Sequence, residues 1–203
     1  MTRPLSSAAR GSVEAALAAL RRGEVVAVAT DTVYGLVCDP ADPNAVDRVF
    51  ALKRRPAELE LTLLAAAITD LEDLVRWNES ARRLAAAFWP GPLSLVLPTG
   101  VRRLAIPRRG TTLSVRIPDH ATLIHLLRRS GPLASTSANR HGAPAALTSV
   151  AVRRAFGAEV TAVVGGGRPA GMASTIIDCS VTPPRILRDG PIDSGRLRGF
   201  VQG

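Results

Sequence analysis

The residues able to do chemistry in this chain fall into a few short clusters. Thr30-Asp31-Thr32 comes first, and Lys53-Arg54-Arg55 follows after one helix-length of chain. Arg116, Ser135-Thr136-Ser137-Ala138-Asn139, Ser174-Thr175 and Arg188 complete the set. Hydroxyls and backbone N–H groups at turns bind phosphate or carboxylate, and arginines clamp such anions. Of the 26 Lys+Arg residues, Lys53 is the only lysine. A compact ammonium suits a point contact with phosphate, where a guanidinium offers a planar fork. Each cluster has a plain alternative: a Thr or Ser in a turn bonds its own backbone, and an arginine at a strand end is solvated. Together they describe a site for anions.

Familiar catalytic signatures are absent. A phosphate-binding loop needs Gly-Lys, but Leu52 precedes the one lysine, and no GxSxG elbow occurs. Gly165-Gly166-Gly167 reads as a flexible loop. His120, His125 and His141 have neither metal-ligand spacing nor acid and nucleophile partners. Chemistry here would rest on positioning and charge stabilisation, which suits attack on a phosphoryl group.

The elements that must hold these residues read as α/β. Ser12 is placed to cap a helix with Val13, Ala16, Leu17 and Leu20 on its apolar face, stopped by Gly23. Residues 24–29 read as a central strand buried on both faces. Asp42-Pro43 opens a second helix that reaches Lys53. A strand at 61–66 precedes two short helices near 70–76 and 79–88. Trp89-Pro90-Gly91-Pro92 breaks the second and starts the strand 93–97. Residues 98–111 read as an arginine-rich surface loop, and 112–117 as a strand ending near Arg116. A helix at 120–129, a short strand at 133–134 and a hydroxyl-rich loop at 135–139 follow. Ser149 is placed to cap a helix ending at Phe156, with strands at 160–164, 176–179 and 185–188 and a last helix capped by Asp193. Early alternation followed by crowded strands predicts a mixed sheet with helices on both faces. The polar clusters fall where strands stop or begin, the ends that line ligand crevices in such sheets.

Length and composition fit one folded domain spanning about residues 12–203 after a short tail, 1–11. The chain is 46% hydrophobic and 21% charged, with a net charge of +9 that suits polyanionic partners. Cys38 and Cys179 each sit in an apolar run and read as buried thiols in a reducing compartment. No apolar run approaches a membrane span and no apolar leader opens the chain, so the expected location is cytoplasmic.

In order along the chain, the motifs resemble the YrdC family of threonylcarbamoyl-AMP synthases. They are Ala29 to Leu36, Leu52-Lys53-Arg54-Arg55-Pro56, Trp89 to Leu93, Val115 to His120, Ser135 to Asn139, Ser174 to Asp178 and Leu187 to Ile192. The resemblance implies a YrdC-like twisted mixed sheet around a deep basic cavity, without the additional C-terminal domain of longer members. It implies a nucleotidyltransferase that joins L-threonine, bicarbonate and ATP into L-threonylcarbamoyl-AMP and diphosphate, with Mg²⁺ accompanying the ATP. A separate complex would pass the threonylcarbamoyl group to tRNA adenosine. By resemblance, Thr32, Arg116, Ser135 and Ser174 surround the threonine. Lys53 and Arg55 serve the triphosphate and the chemistry, and Thr112, Ser137, Asn139 and Arg188 complete the nucleotide site. No residue is expected to ligate a metal directly.

The sequence departs from the family pattern at Ala29 and Glu60, where proline is usual, and at Leu64, where some members have histidine. It departs again at Ala173 for glutamate and His141 for serine. Two other readings stand beside the enzyme. One is a module binding tRNA or double-stranded RNA, favoured by charge but opposed by an aromatic content of only 3% and by scattered arginine pairs. The other is a related carbamoyltransferase.

Overall fold

The computed structural model describes residues 5–54, 61–102, 104–106, 111–167 and 169–201. Among them, nine strands form one mixed sheet. The first three elements are α1 (Ser7–Arg21), β1 (Val26–Val28) and β2 (Gly35–Cys38). Next come α2 (Pro43–Lys53), β3 (Thr62–Leu64), α3 (Glu79–Phe88), β4 (Leu93–Pro98) and β5 (Thr112–Arg116). The remainder is α4 (Ala121–Ser130), β6 (Leu133–Ser137), α5 (Ser149–Phe156), β7 (Ala162–Val164), β8 (Thr175–Asp178), β9 (Arg185–Arg188) and α6 (Ser194–Val201). The strand order is β7-β1-β2-β6-β3-β5-β4-β8-β9. The pairs β1–β7, β3–β5 and β4–β8 are parallel, and the others antiparallel.

Helices cover both faces, as the patterning predicts. Val26 and Val28 point to one face, against Val13, Leu17 and Leu20 of α1 and Leu123 and Leu127 of α4. Ala27 and Leu36 point to the other, in the cluster that includes Val46, Val49 and Phe50 of α2, Leu84 of α3, Val152 of α5 and Leu197 of α6. Period-two alternation of strand side chains divides one sheet between two cores. Both cysteines are buried, and burial pushes each thiol up to about 12, which leaves them protonated and unreactive at neutral pH.

Several local expectations are corrected. The first helix starts at Ser7, with Ser6 as its cap, so residues 7–11 are helical rather than tail. Ser12 lies inside the helix and bonds back to the Ala9 carbonyl at 2.9 Å, the usual resort of a mid-helix serine. Residues 24–29 contribute only Val26–Val28, fully buried but next to the sheet edge rather than central. The stretch 70–76 is a 3₁₀ turn at Ile68–Leu71, with Asp70 Oδ2 accepting from the Ala66 and Ala67 N–H groups. Thr148, not Ser149, caps α5. Ser135 to Ser137 belong to β6 rather than a loop, because β2 pairs along all three and β3 reaches Ser135 from the other side. Of the 98–111 segment, Arg103 and residues 107–110 lie outside the described residues, and Ile106 is buried. Among the described residues no helix is long and apolar enough to cross a membrane.

Candidate functional site

Where α1 and α4 leave their face of the sheet uncovered, the side chains change character. In β5 the order Thr112-Leu113-Ser114-Val115-Arg116 alternates polar with apolar, and Leu93-Ser94-Leu95 does the same in β4. Leu95, Leu97, Leu113 and Val115 enter the core. Ser94, Ser114 and Arg116 line a cavity of about 340 Å³ with Thr30, Thr32, Thr62, Leu64, Ser135, Ser137, Ser174 and Arg188. Strand register sets the floor: Thr62 lies opposite Ser114 on one side and Ser135 on the other, and Leu64 lies opposite Arg116.

Arg116 is the most heavily bonded of the cations that line this cavity. It is 5% exposed. Its Nε donates to the Gly91 carbonyl at 3.0 Å, its Nη1 to Thr32 Oγ1 at 2.9 Å, and its Nη2 to Asp31 Oδ1. Three of the five guanidinium N–H donors are therefore bonded among the described residues, and two remain for a ligand. Burial lowers the Arg116 pKa, and the Asp31 carboxylate acts against that shift. The hydroxyl relay continues inward. Thr30 Oγ1 donates to the Val33 carbonyl at 2.6 Å and takes the Thr32 hydroxyl at 2.9 Å. The Thr32 and Val33 N–H groups also bond Thr30 Oγ1, so the Thr30–Val33 turn is fixed by one side chain.

Arg188 approaches from the last strand. Its Nε donates to the Ser174 carbonyl at 3.0 Å and its Nη2 to Ser174 Oγ at 3.2 Å, and Ser174 also bonds Ser94 at 2.9 Å. Burial, and then the charge of Arg116, lowers the Arg188 pKa. Two guanidiniums thus face one hollow with one nearby carboxylate, Asp31, an arrangement complementary to an anion. Gly190 makes the approach of Arg188 possible. A Cβ there would stand 2.3 Å from the Thr175 nitrogen and 2.7 Å from the Ala173 carbonyl oxygen, with no flexible side chain to yield. Gly190→Ala is expected to destabilise the protein by about 1–3 kcal/mol and to pull Arg188 off Ser174. Thermal denaturation and ligand binding together check it, and a variant with native melting and native binding would contradict this packing.

Lys53 is placed otherwise than a mobile point charge. Its side chain is buried at the end of α2, 2% exposed, and is not part of the cavity lining. Its Nζ donates to the Ser137 carbonyl at 2.6 Å, Asn139 Oδ1 at 2.9 Å and the Asn139 carbonyl at 3.0 Å. Its own carbonyl accepts from the His141 N–H at 2.8 Å. The segment 137–141 therefore wraps the lysine, and Ser137, bonded to Asn139 Oδ1 at 2.6 Å, carries its position to the cavity wall.

The structure brings together Thr32, Arg116, Ser135, Ser137, Ser174 and Arg188 on one cavity, with Lys53 buried behind its wall and Asn139 outside the lining, bonded to both Lys53 and Ser137. Thr112 lies at the start of β5, opposite Pro98, on the strand face of Ser114 and Arg116 but not among the lining residues. Arg55 and Glu60 lie outside the described residues. Among the departures, Leu64 and Ala173 both line the cavity. Sequence reasoning missed Thr62, Ser94 and Ser114, although the alternation through 93–97 and 112–116 marks strands with one solvated face. His120, left unassigned by the sequence, caps α4 by accepting from the Leu123 N–H at 3.3 Å, while its Nε2 meets the Gly166 carbonyl at 2.9 Å. No group of three or more His, Cys, Asp or Glu side chains converges among the described residues.

Comparison with known proteins places the chain in a family and matches its fold. A family model described as telomere recombination, for the Sua5, YciO and YrdC proteins, matches residues 18–190. A threonylcarbamoyl-AMP synthase of Pyrococcus abyssi is 39% identical over 178 residues, 84% of this chain and 52% of that protein. One from Chromohalobacter salexigens is 40% identical over 166 residues, 80% of this chain and 90% of that protein. The crystal structure of P. abyssi Sua5 complexed with L-threonine superposes with a TM-score of 0.88 at 36% identity, covering 94% of this chain and 57% of that one. The chain spans about half the length of the P. abyssi relative.

Proposed function

The chain belongs to the Sua5, YciO and YrdC family, and from that premise we propose that it is an L-threonylcarbamoyladenylate synthase serving tRNA threonylcarbamoyladenosine formation. The observation that carries this reading is Arg116, buried in the cavity with two N–H donors unused and with Arg188 facing the same hollow. Such a pair of cations suits a substrate carboxylate beside a nucleotide's phosphates. A relative bound to L-threonine supports the choice of amino acid.

In this reading Arg116 takes the threonine carboxylate on its two remaining N–H groups, as a planar fork does best. Thr32 sits beside it, and Ser135 and Ser174 border the same space. The threonine amine and bicarbonate condense to a carbamate with loss of water. A carbamate oxygen then attacks the α-phosphorus of ATP, the bond from that phosphorus to the bridging oxygen breaks, and diphosphate leaves with its electron pair. Arg188 stabilises charge developing on the phosphates, and Ser137 and Asn139 bind the nucleotide on a wall set by Lys53. Arg55 and Thr112 complete the nucleotide site in the family pattern. Mg²⁺ would arrive on the triphosphate, because the lining offers hydroxyls and guanidiniums rather than carboxylates. The product would pass to a separate transfer complex and then to tRNA.

Incubation with L-threonine, bicarbonate and Mg-ATP is expected to release diphosphate and form a labile AMP adduct, and omitting any one substrate should stop both. Diphosphate release that ignores threonine and bicarbonate, or that needs carbamoyl phosphate instead, would contradict the assignment.

A further inference from the structure

Asp31 is unused by this scheme, yet it touches the guanidinium that receives the substrate. The ion pair is buried, with side-chain exposures of 6% for Arg116 and 15% for Asp31. Only Oδ1 is bonded; Oδ2 is buried with no hydrogen-bond partner among the described residues. A carboxylate kept to orient a guanidinium does so best through both oxygens in a fork. One acceptor is all that Arg116 takes here, and an asparagine oxygen would supply that contact without the charge that opposes the burial of the guanidinium. Negative charge is what asparagine would lack. The backbone that carries Asp31 is held as well: the Asp31 carbonyl accepts from the Ala170 N–H at 3.0 Å, and the Thr32 carbonyl from the Gly171 N–H at 2.9 Å.

We propose that Asp31 is a specificity-determining residue, whose charge against Arg116 makes this subsite accept zwitterionic α-amino acids and reject anions that lack an amine. This rests on the reading that Arg116 receives an amino-acid carboxylate. Paired with Asp31, Arg116 contributes almost no net charge to the cavity. A plain carboxylate or a phosphate then gains one attraction and meets one repulsion. Asp31 is not among the residues that line the cavity, so its charge reaches the subsite across Arg116 rather than by contact. An α-amino acid, whose ammonium stands one carbon from its carboxylate, offsets that charge, and a plain anion does not. Arg188, whose described bonds go only to Ser174, adds to the same hollow a positive charge with no carboxylate beside it in those bonds, suited to phosphates. The two arginines thereby sort two substrates within one hollow.

Calorimetric titration of the full chain with L-threonine and with 3-hydroxybutyrate, which keeps the carboxylate and hydroxyl but has no amine, tests this. The native protein is expected to favour threonine by about thirtyfold or more, and Asp31→Asn to shrink that preference at least about tenfold. Threonine binding with an unchanged preference in Asp31→Asn overturns the role of Asp31 alone. Equal affinity of the native protein for the two ligands overturns it without any variant, should Asp31→Asn fail to fold. Failure of the native protein to bind threonine overturns the reading of Arg116 and this inference with it.

Discussion

Arg116→Ala is expected to cut adenylate formation about a hundredfold and to lower stability together, because one side chain serves both. Removal leaves Asp31 buried without its cation, and breaking a buried pair costs about 3–5 kcal/mol. In a chain of 203 residues that corresponds to a fall in melting temperature of roughly 6–20 °C. Loss of a charged clamp on the substrate costs about 3 kcal/mol more in the transition state, about a hundredfold in kcat/KM for threonine. A double variant separates the two effects. Arg116→Ala with Asp31→Asn removes the orphaned charge, so it should regain much of the lost stability while its adenylate formation stays low. Recovery of activity in that double variant would show that Arg116 acts only as a structural partner of Asp31.

Lys53→Ala is expected to cost about 3 kcal/mol of stability, since it strands the Ser137 and Asn139 carbonyls and Asn139 Oδ1 without their shared donor. Released from that anchor, the 137–141 segment no longer presents Ser137 and Asn139 to the nucleotide. The KM for ATP should therefore rise by about tenfold or more, with threonine affinity changed far less. Lys53→Met keeps the buried stem and removes only the charge. It should recover part of the stability and none of the nucleotide affinity. Urea denaturation and initial-rate measurements check both variants; native KM for ATP in Lys53→Met would contradict the placement of the lysine behind this wall.

The parts of the site legible in the sequence were those marked by strand ends. Thr32, Arg116 and Arg188 each stand beside an apolar run, and the chain folds so that those ends meet. The helix cap at Asp42-Pro43 and the break at Trp89 were local signals, decided by residues a few positions apart. What could not be read is non-local. Lys53 and Asn139 meet across a separation of 86 residues, so a lysine alone in composition gives no sign of being buried under a loop. The strand content of Ser135 to Ser137 depends on pairing with β2 and β3, which overrides the turn preference of serine. The bonds of Asp31 and Arg116 likewise need the register of the whole sheet.

The most direct measurement is a crystal structure of this chain with L-threonine and a non-hydrolysable ATP analogue. The threonine carboxylate should lie within hydrogen-bond distance of Arg116, with the phosphates between it and Arg188. Threonine bound outside this cavity, or a nucleotide whose phosphates lie away from Arg188, would contradict the assignment of two anion sites to one hollow.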